Sequence, residues 1–275
     1  MASNLVNRLA VCSWSLQPAS PTQLIEQLAQ VGVKRVQLDL DPLRQGGAWA
    51  RTGELFKKAG IQIIGGMMRC EGEDYTTMQT IAKTGGIVPD NTWPITWKNM
   101  QAMAPIAQSL GIDYVMFHAG FLPHDPKDPA YGKLLGRLAQ VADLFAKLGI
   151  KVGFETGQED APTLIAMLQR LNKANVGVNF DPANIILYDV GDPIEALRLL
   201  GPRVLQVHIK DANHSKIKGR WGEEVVVGTG QVDWKKFFTM LDAVAFKGHL
   251  AIEREAGDSR VADIQAAVKF LAGLK

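Results

Sequence analysis

Residues 151–182 read KVGFETGQEDAPTLIAMLQRLNKANVGVNFDP. Two short, mostly apolar runs, Lys151–Glu155 and Val176–Asp181, read as strands, and the stretch near 162–172 between them reads as a helix. A strand, a helix and a second strand within about thirty residues form a βαβ unit, which makes the two strands parallel. Each run also closes on a carboxylate, Glu155 and Asp181.

Outward from this unit the alternation repeats in both directions. Strand-like runs fall at Leu9–Leu16, Arg35–Leu40, Ile61–Met68, Tyr114–His118, Val204–Ile209 and Leu250–Glu253, which brings the total to eight. Helical stretches lie near 22–31, 48–59, 97–110, 131–148, 193–200, 234–245 and 260–274. The 131–148 segment shows the period clearly, because Leu134, Leu138, Val141, Phe145 and Leu148 recur three or four apart and line one face. Gly32, Gly60, Gly111 and Gly149 stand where helices end. Eight βα units with continuous apolar strands predict an α/β fold, a closed parallel (β/α)8 TIM barrel forming a single domain over 1–275. The alternative, an open doubly wound sheet, lacks support: the first βα turn, Trp14-Ser15-Leu16-Gln17-Pro18, has no Gly-rich phosphate fingerprint.

Composition narrows the function. Thirty Lys+Arg against 28 Asp+Glu leave a net charge of +2, too small to predict nucleic acid or an anionic membrane as partner. No apolar run approaches the roughly 18 residues of a membrane span, and the N-terminal residues do not read as a secretion signal. Cys12 and Cys70 read as buried thiols rather than a disulfide, which predicts a cytoplasmic protein.

In a barrel, chemistry sits at the C-terminal strand ends and the loops that follow. Strands five to eight end in Glu155, Asp181, His208 and Glu253. Neighbouring strands stand side by side, so these four side chains are expected to converge on one half of the barrel mouth. Three carboxylates in contact repel one another, and a divalent cation offsets that cost. Three oxygen donors and one imidazole suit one Mn²⁺ first, with Mg²⁺, Co²⁺ or Zn²⁺ as alternatives. His118, ending strand four, and Trp14, ending strand one, are candidates to contact a sugar. By strand alternation Lys210 shares the side of His208, whereas Arg254 points away and is expected to form a salt bridge. His249 reads as structural at the barrel bottom, and His124 as a loop residue. Long loops at 69–96 and 210–233 read as lids or binding loops, with Trp93, Trp97 and Trp221 in or beside them.

The quartet, together with Phe-Asp181-Pro-Ala-Asn, Val-His208-Ile-Lys-Asp and Gly228-Thr-Gly-Gln-Val-Asp-Trp, resembles the xylose isomerase-like barrel superfamily across nearly the whole chain. Within it the chain is similar to the sugar phosphate isomerase/epimerase branch, which includes ketose 3-epimerases, hydroxypyruvate isomerase and inosose dehydratases. The resemblance implies that Glu155, Asp181, His208 and Glu253 are metal ligands and that Glu155 and Glu253 are also the acid/base pair. It implies a sugar or keto-sugar substrate, proton abstraction beside a carbonyl through a metal-stabilised enediolate, and a homodimer or homotetramer. Isomerisation and epimerisation both fit, with dehydration of an inosose or 3-keto-glycoside as the alternative. One departure stands out: many epimerases carry a histidine three residues after the metal-binding aspartate, and this chain has Asn184. Asparagine hydrogen-bonds a hydroxyl but does not exchange protons at neutral pH. The basic residue usual in the loop after strand seven has His214 and Lys216 as candidates. The superfamily's apurinic-site DNA nucleases need more histidines, at matching places, than this chain offers.

Overall fold

A computed structural model describes residues 5–274. Eight parallel strands close into a barrel, with the first strand, Leu9–Cys12, paired to both the second, Arg35–Asp39, and the eighth, Leu250–Ile252. Closure is set by the register Leu9 to Leu250 and Val11 to Ile252. The remaining strands follow in chain order: Gln62–Met67, Tyr114–Phe117, Lys151–Glu155, Val176–Phe180 and Val204–Ile209.

Strand alternation separates two layers of packing. Outward residues such as Val11, Val36, Val115, Phe117, Phe154, Val178, Phe180, Val207 and Ile252 are buried under the helices, against Leu24, Leu28, Leu138, Phe145 and Phe237. Inside the barrel a smaller apolar group, Ala10, Cys12, Ile64 and Ala251, packs below Trp14. Much of the remaining interior is polar: Gln206 Nε2 donates to Gln37 Oε1 at 2.5 Å, and the Tyr114 hydroxyl donates to Asn179 Oδ1 at 3.3 Å.

Gly153 makes room for that tyrosine. A Cβ at this position would lie 2.2 Å from the Tyr114 hydroxyl. Gly153→Ala is therefore expected to cost about 1–3 kcal/mol through overpacking. The check is the denaturant midpoint, and adding Tyr114→Phe to Gly153→Ala should restore part of the loss.

Element boundaries differ from the sequence reading in places, each with a local cause. The first strand stops at Cys12 instead of Leu16, and Ser13–Leu16 forms a helical turn. Ser13 Oγ accepts from the Asp39 amide at 2.8 Å and Ser15 Oγ from the Arg254 amide at 2.9 Å, which diverts the chain from the ladder. The helix expected at 97–110 begins at Trp93, with Pro94 in its first turn, where a missing N–H is tolerated. The stretch at 48–59 divides into a 3₁₀ turn, Gly47–Arg51, and an α-helix, Thr52–Ala59. Both long loops carry structure: Met78–Thr84 is a helix with a Thr77/Thr80 capping box, and Asp211–Asn213 pairs antiparallel with Glu223–Val225. No helix among the described residues is long and apolar enough to cross a membrane, and Cys12 and Cys70 are both free and buried.

Candidate metal centre

Strand parity carries the four strand-end residues to one place. On the seventh strand Gln206, His208 and the following Lys210 face inward, and on the sixth Asn179 and the following Asp181 do so. Glu155 closes the fifth strand opposite Asn179, and Glu253 follows Ile252 at the end of the eighth. One ligand-type atom from each of Glu155, Asp181, His208 and Glu253 lies within 4.8 Å of all the others, and all four residues are buried.

His208 Nδ1 lies 2.7 Å from Glu155 Oε1, 3.4 Å from Glu253 Oε2 and 3.9 Å from Asp181 Oδ2. Despite these distances, neither His208 Nδ1 nor Asp181 Oδ2 has a hydrogen-bond partner. The other atoms of these side chains are engaged. Asp181 Oδ1 accepts from the amides of Ala183 at 2.8 Å and Asn184 at 3.1 Å, capping the helix Pro182–Leu187. His208 Nε2 lies 2.8 Å from Gln37 Oε1. Trp14 Nε1 donates to Glu253 Oε1 at 2.7 Å, and Lys210 Nζ donates to Glu253 Oε2 at 2.9 Å. His208 and Asp181 thus each present one unpartnered atom to the shared centre while the rest of the side chain is held, and the Glu253 carboxyl is fixed beside them at both oxygens. Donors around one small dication stand at most about 4 Å apart, close to the spread observed. Buried polar atoms left without partners are costly, and two of them within a cluster of three carboxylates and one imidazole are the environment a divalent cation would satisfy.

The electrostatics agree. Burial raises Asp181 to about 7, the nearby Lys210 only partly offsetting it. Burial also acts on Glu155, but the His118 and His208 imidazoles bring it down to about 2. At Glu253 burial is overcome by Lys210 and His208, which hold the carboxyl well below its usual range. Burial disfavours the imidazolium of His208, yet Cys12, Glu253 and Glu155 beside it keep it well above its ordinary value. His118 is likewise raised to about 9, against burial, chiefly by Glu155. Its Nε2 lies 2.9 Å from Glu155 Oε2.

Above the quartet opens a cavity of ≈480 Å³ whose lining includes Trp14, His118, Glu155, Asn184, Lys210 and Glu253. Five of the residues expected to contact a sugar therefore divide as follows: Trp14, His118, Asn184 and Lys210 reach the cavity, and His214 does not. His214 is half-exposed, with Nδ1 3.5 Å from Asp189 Oδ1, because the hairpin carries it to the outer surface. Arg254 points away as expected, paired with Glu224 at 2.8 Å and Asp263 at 2.9 Å. Of the loop tryptophans, Trp221 lines the cavity, whereas Trp93 and Trp97 stack on each other at 5.6 Å with Arg137 over Trp93. His124 is exposed on its loop.

Several cavity residues were not singled out from the sequence. Glu73 and Tyr75 come from the long loop after strand three, Tyr188 from the turn after Asp181, and Glu224 and Glu255 from the loops after strands seven and eight. Lys210 Nζ bridges Glu253 and Glu255, the latter at 2.7 Å. Asp211 is a second omission. Its buried carboxylate accepts from the amides of Gly228 at 2.8 Å, Gly230 at 3.1 Å and Val232 at 3.2 Å, and from Trp234 Nε1 at 2.9 Å. The Gly-x-Gly-x-x-Asp-Trp stretch is thus a wrap around one buried charge. Gly230 is required there, since a Cβ would lie 2.2 Å from Asp211 Oδ1.

Comparison with known proteins places this geometry among relatives. Residues 25–274 match the family described as xylose isomerase-like TIM barrel. The crystal structure of a xylose isomerase domain protein from Planctomyces limnophilus superposes with a TM-score of 0.85 at 30% identity, covering 96% of this chain and 94% of that one. An inosose dehydratase of Lactiplantibacillus plantarum is 26% identical over 156 residues, 51% of this chain and 52% of the relative, so the match spans about half the length of that curated protein. A 3-keto-D-glucoside 4-epimerase from E. coli shares the fold with a TM-score of 0.73 at 14% identity, over 96% of this chain and 98% of that one.

Proposed function

Because the chain belongs to the xylose isomerase-like TIM barrel family, we propose that it is a divalent-metal-dependent sugar isomerase or epimerase with Glu155 and Glu253 as its acid/base pair. The observation that carries this reading is the pair of buried, unpartnered atoms, His208 Nδ1 and Asp181 Oδ2, clustered with the two glutamates that line the cavity. Glu155, Asp181, His208 and Glu253 would hold the ion, and their oxygen-rich set suits Mn²⁺. When bound, the cation supplies Lewis-acid stabilisation of negative charge developing on a substrate carbonyl oxygen.

The chain's own residues do the rest. Glu155 is ionised at neutral pH and removes the proton from the carbon beside the carbonyl. Glu253, three strands around the ring, returns a proton from another direction, as inversion of a centre requires. Trp14 and Lys210 fix the Glu253 carboxyl through one oxygen each, so that its orientation is set before substrate arrives. Asn184, on the first turn after Asp181, offers its amide to a hydroxyl and leaves proton transfer to the glutamates. The substrate is an uncharged keto-sugar rather than a phosphate ester. The cations on the cavity wall are already paired, Arg69 with Asp39 at 2.8 Å, Lys210 with two glutamates and His118 with Glu155 at 2.9 Å, while Glu73, Glu224 and Glu255 add negative charge. The two free buried thiols support a reducing, cytoplasmic setting.

A second reading, dehydration of an inosose or 3-keto-glycoside, rests on His118. Held protonated beside Glu155 and facing the cavity, it is placed to donate to a departing hydroxyl after the same first proton abstraction. The half-length match to inosose dehydratases supports this reading as well.

The test is proton exchange in D₂O. Mn²⁺-loaded protein is incubated with a panel of ketoses, inososes and 3-keto-glycosides, with and without chelator, and carbon-bound protons are followed by NMR. Chelator-sensitive deuterium uptake into an epimer or isomer is the expected result. Loss of water from the labelled product would select the dehydratase reading. Turnover that survives complete removal of the metal would overturn both.

A further inference from the structure

His208 has two ring nitrogens, and the structure surrounds them with two different sets of donors. Nδ1 faces Glu155, Asp181 and Glu253. Nε2 faces the Cys12 sulfur at 3.7 Å and Gln37 Oε1 at 2.8 Å. Cys12, His208 and Glu253 by themselves also bring ligand atoms within 4.8 Å of one another. A softer, sulfur-containing set therefore overlaps the oxygen-rich one and shares two of its residues.

We infer that Gln37 decides which set forms: its side-chain carbonyl holds the proton on His208 Nε2, so that Nδ1 alone is free to ligate and Cys12 is kept out of the metal site. The inference rests on the metal-centre reading above and goes beyond it to the choice of metal. Gln37 is fully buried on the second strand, and its Oε1 accepts three donors, Gln206 Nε2 at 2.5 Å, His208 Nε2 at 2.8 Å and the Cys12 thiol at 3.7 Å, so it engages Cys12 as well as His208. Gln206 carries its bond from the same strand as His208, so the Gln37 oxygen is met from two positions of one strand. A neutral imidazole has one N–H and one lone pair, so a hydrogen bond at one nitrogen settles what the other can do. Metal-bound histidines characteristically donate their remaining N–H in this way, and loss of the partner lowers metal affinity by about 10–100-fold. Without Gln37, Nε2 is free to present its lone pair beside the Cys12 sulfur. Ligation through Cys12 forms a metal–sulfur bond and releases the thiol proton to solvent, and such a set favours Zn²⁺ or Co²⁺ over Mn²⁺. Gln37 is a positioning residue, acting through His208.

The experiment compares the whole protein with Gln37→Leu, Gln37→Glu and Gln37→Leu/Cys12→Ser, each checked for native circular dichroism. Mn²⁺ and Zn²⁺ binding are measured by calorimetry, Co²⁺ loading by absorption, and the His208 ring nitrogens by long-range ¹⁵N–¹H NMR of the Mg²⁺-loaded protein. The unmodified protein is expected to show a protonated Nε2 and no thiolate-to-cobalt charge-transfer band. Gln37→Leu is expected to bind Mn²⁺ about 10–100-fold more weakly, to prefer Zn²⁺ more strongly, and to gain a thiolate band that Cys12→Ser removes. Gln37→Glu keeps an acceptor oxygen of the kind that carboxylate–histidine–metal triads use, and should lose less than the roughly 10-fold at the low end of that range. A protonated Nδ1 in the unmodified Mg²⁺ form overturns the inference, as does a Gln37→Leu variant with unchanged Mn²⁺ affinity and no thiolate band. Reduced Mn²⁺ affinity without a thiolate band would refute the competition with Cys12. If the unmodified protein binds no metal, the metal-centre reading itself fails and this inference falls with it.

Discussion

Glu155→Gln is expected to lower turnover by about 10²–10⁴-fold, the usual contribution of a positioned general base, and to abolish solvent exchange of the substrate proton with it. The two glutamates are not equivalent in their surroundings. Glu253 is tied by Trp14 Nε1 at one oxygen and by Lys210 at the other, and it is held well below the usual carboxylate range. Glu155 is held low as well, at about 2, and its carboxyl meets the His118 and His208 imidazoles at 2.9 and 2.7 Å. With Glu253 tied at both oxygens by Trp14 and Lys210, Glu155 is assigned the first abstraction. Glu253→Gln should therefore lower net turnover by a similar factor while leaving part of the substrate-proton exchange intact, since the first half of the reaction still runs. Loss of a ligand is separable from loss of a base by repeating both assays at saturating Mn²⁺. Near-normal turnover in either variant would end the two-glutamate assignment. Equal loss of exchange in both would end the division of roles between them.

The barrel was readable because its strands are unbroken apolar runs and its helices close on glycine, as at Val204–Ile209 and Gly60. Errors fell where a single side chain redirects the backbone. Ser13 and Ser15 bond to distant amides and end the first strand early, and no local pattern in Ser-Trp-Ser-Leu announces those partners. The quartet was readable for a geometric reason: strand ends in a closed barrel have fixed neighbours, so sequence position translates into proximity. His214 had no such rule behind it. It lies on a loop whose path depends on the hairpin Asp211–Asn213 with Glu223–Val225, and that path turns it outward to Asp189. Gln37, Asn179 and Gln206 were not singled out, although each is a polar residue at an inward position of a buried strand. What was hidden was their mutual order, Gln206 to Gln37 to His208 and Tyr114 to Asn179 to Glu155, because an amide carries no signature of which group it will meet.

The clearest stability effect is expected at Asp211, which contacts nothing in the cavity and yet shapes one of its walls. Its carboxylate is completely buried with no cation beside it in any salt bridge among the described residues. Backbone amides and one indole take that place: Gly228, Gly230, Val232 and Trp234 all donate to it, from positions 17 to 23 residues downstream. The Ala212 amide adds a fifth donor at 2.9 Å. Hydrogen bonds to a charged group are each worth about 1.5–3 kcal/mol, and a donor left buried without its acceptor costs a further 1–3 kcal/mol. Asp211→Ala strands all five at once, so a loss of about 3–5 kcal/mol is expected after the loop relaxes toward water. Asp211→Asn separates charge from shape. It keeps the size, but its NH₂ group must face N–H donors on one side, so more than half of the loss should remain. Denaturant unfolding of the two variants checks the magnitudes. The same variants should also weaken ligand binding in the still-folded protein, because the hairpin clamped by this wrap carries Gly222 and Glu224 to the cavity wall. A stable Asp211→Ala protein with unaltered binding would mean that the Gly-x-Gly-x-x-Asp-Trp wrap holds without its central charge, and the structural reading of that stretch would be wrong.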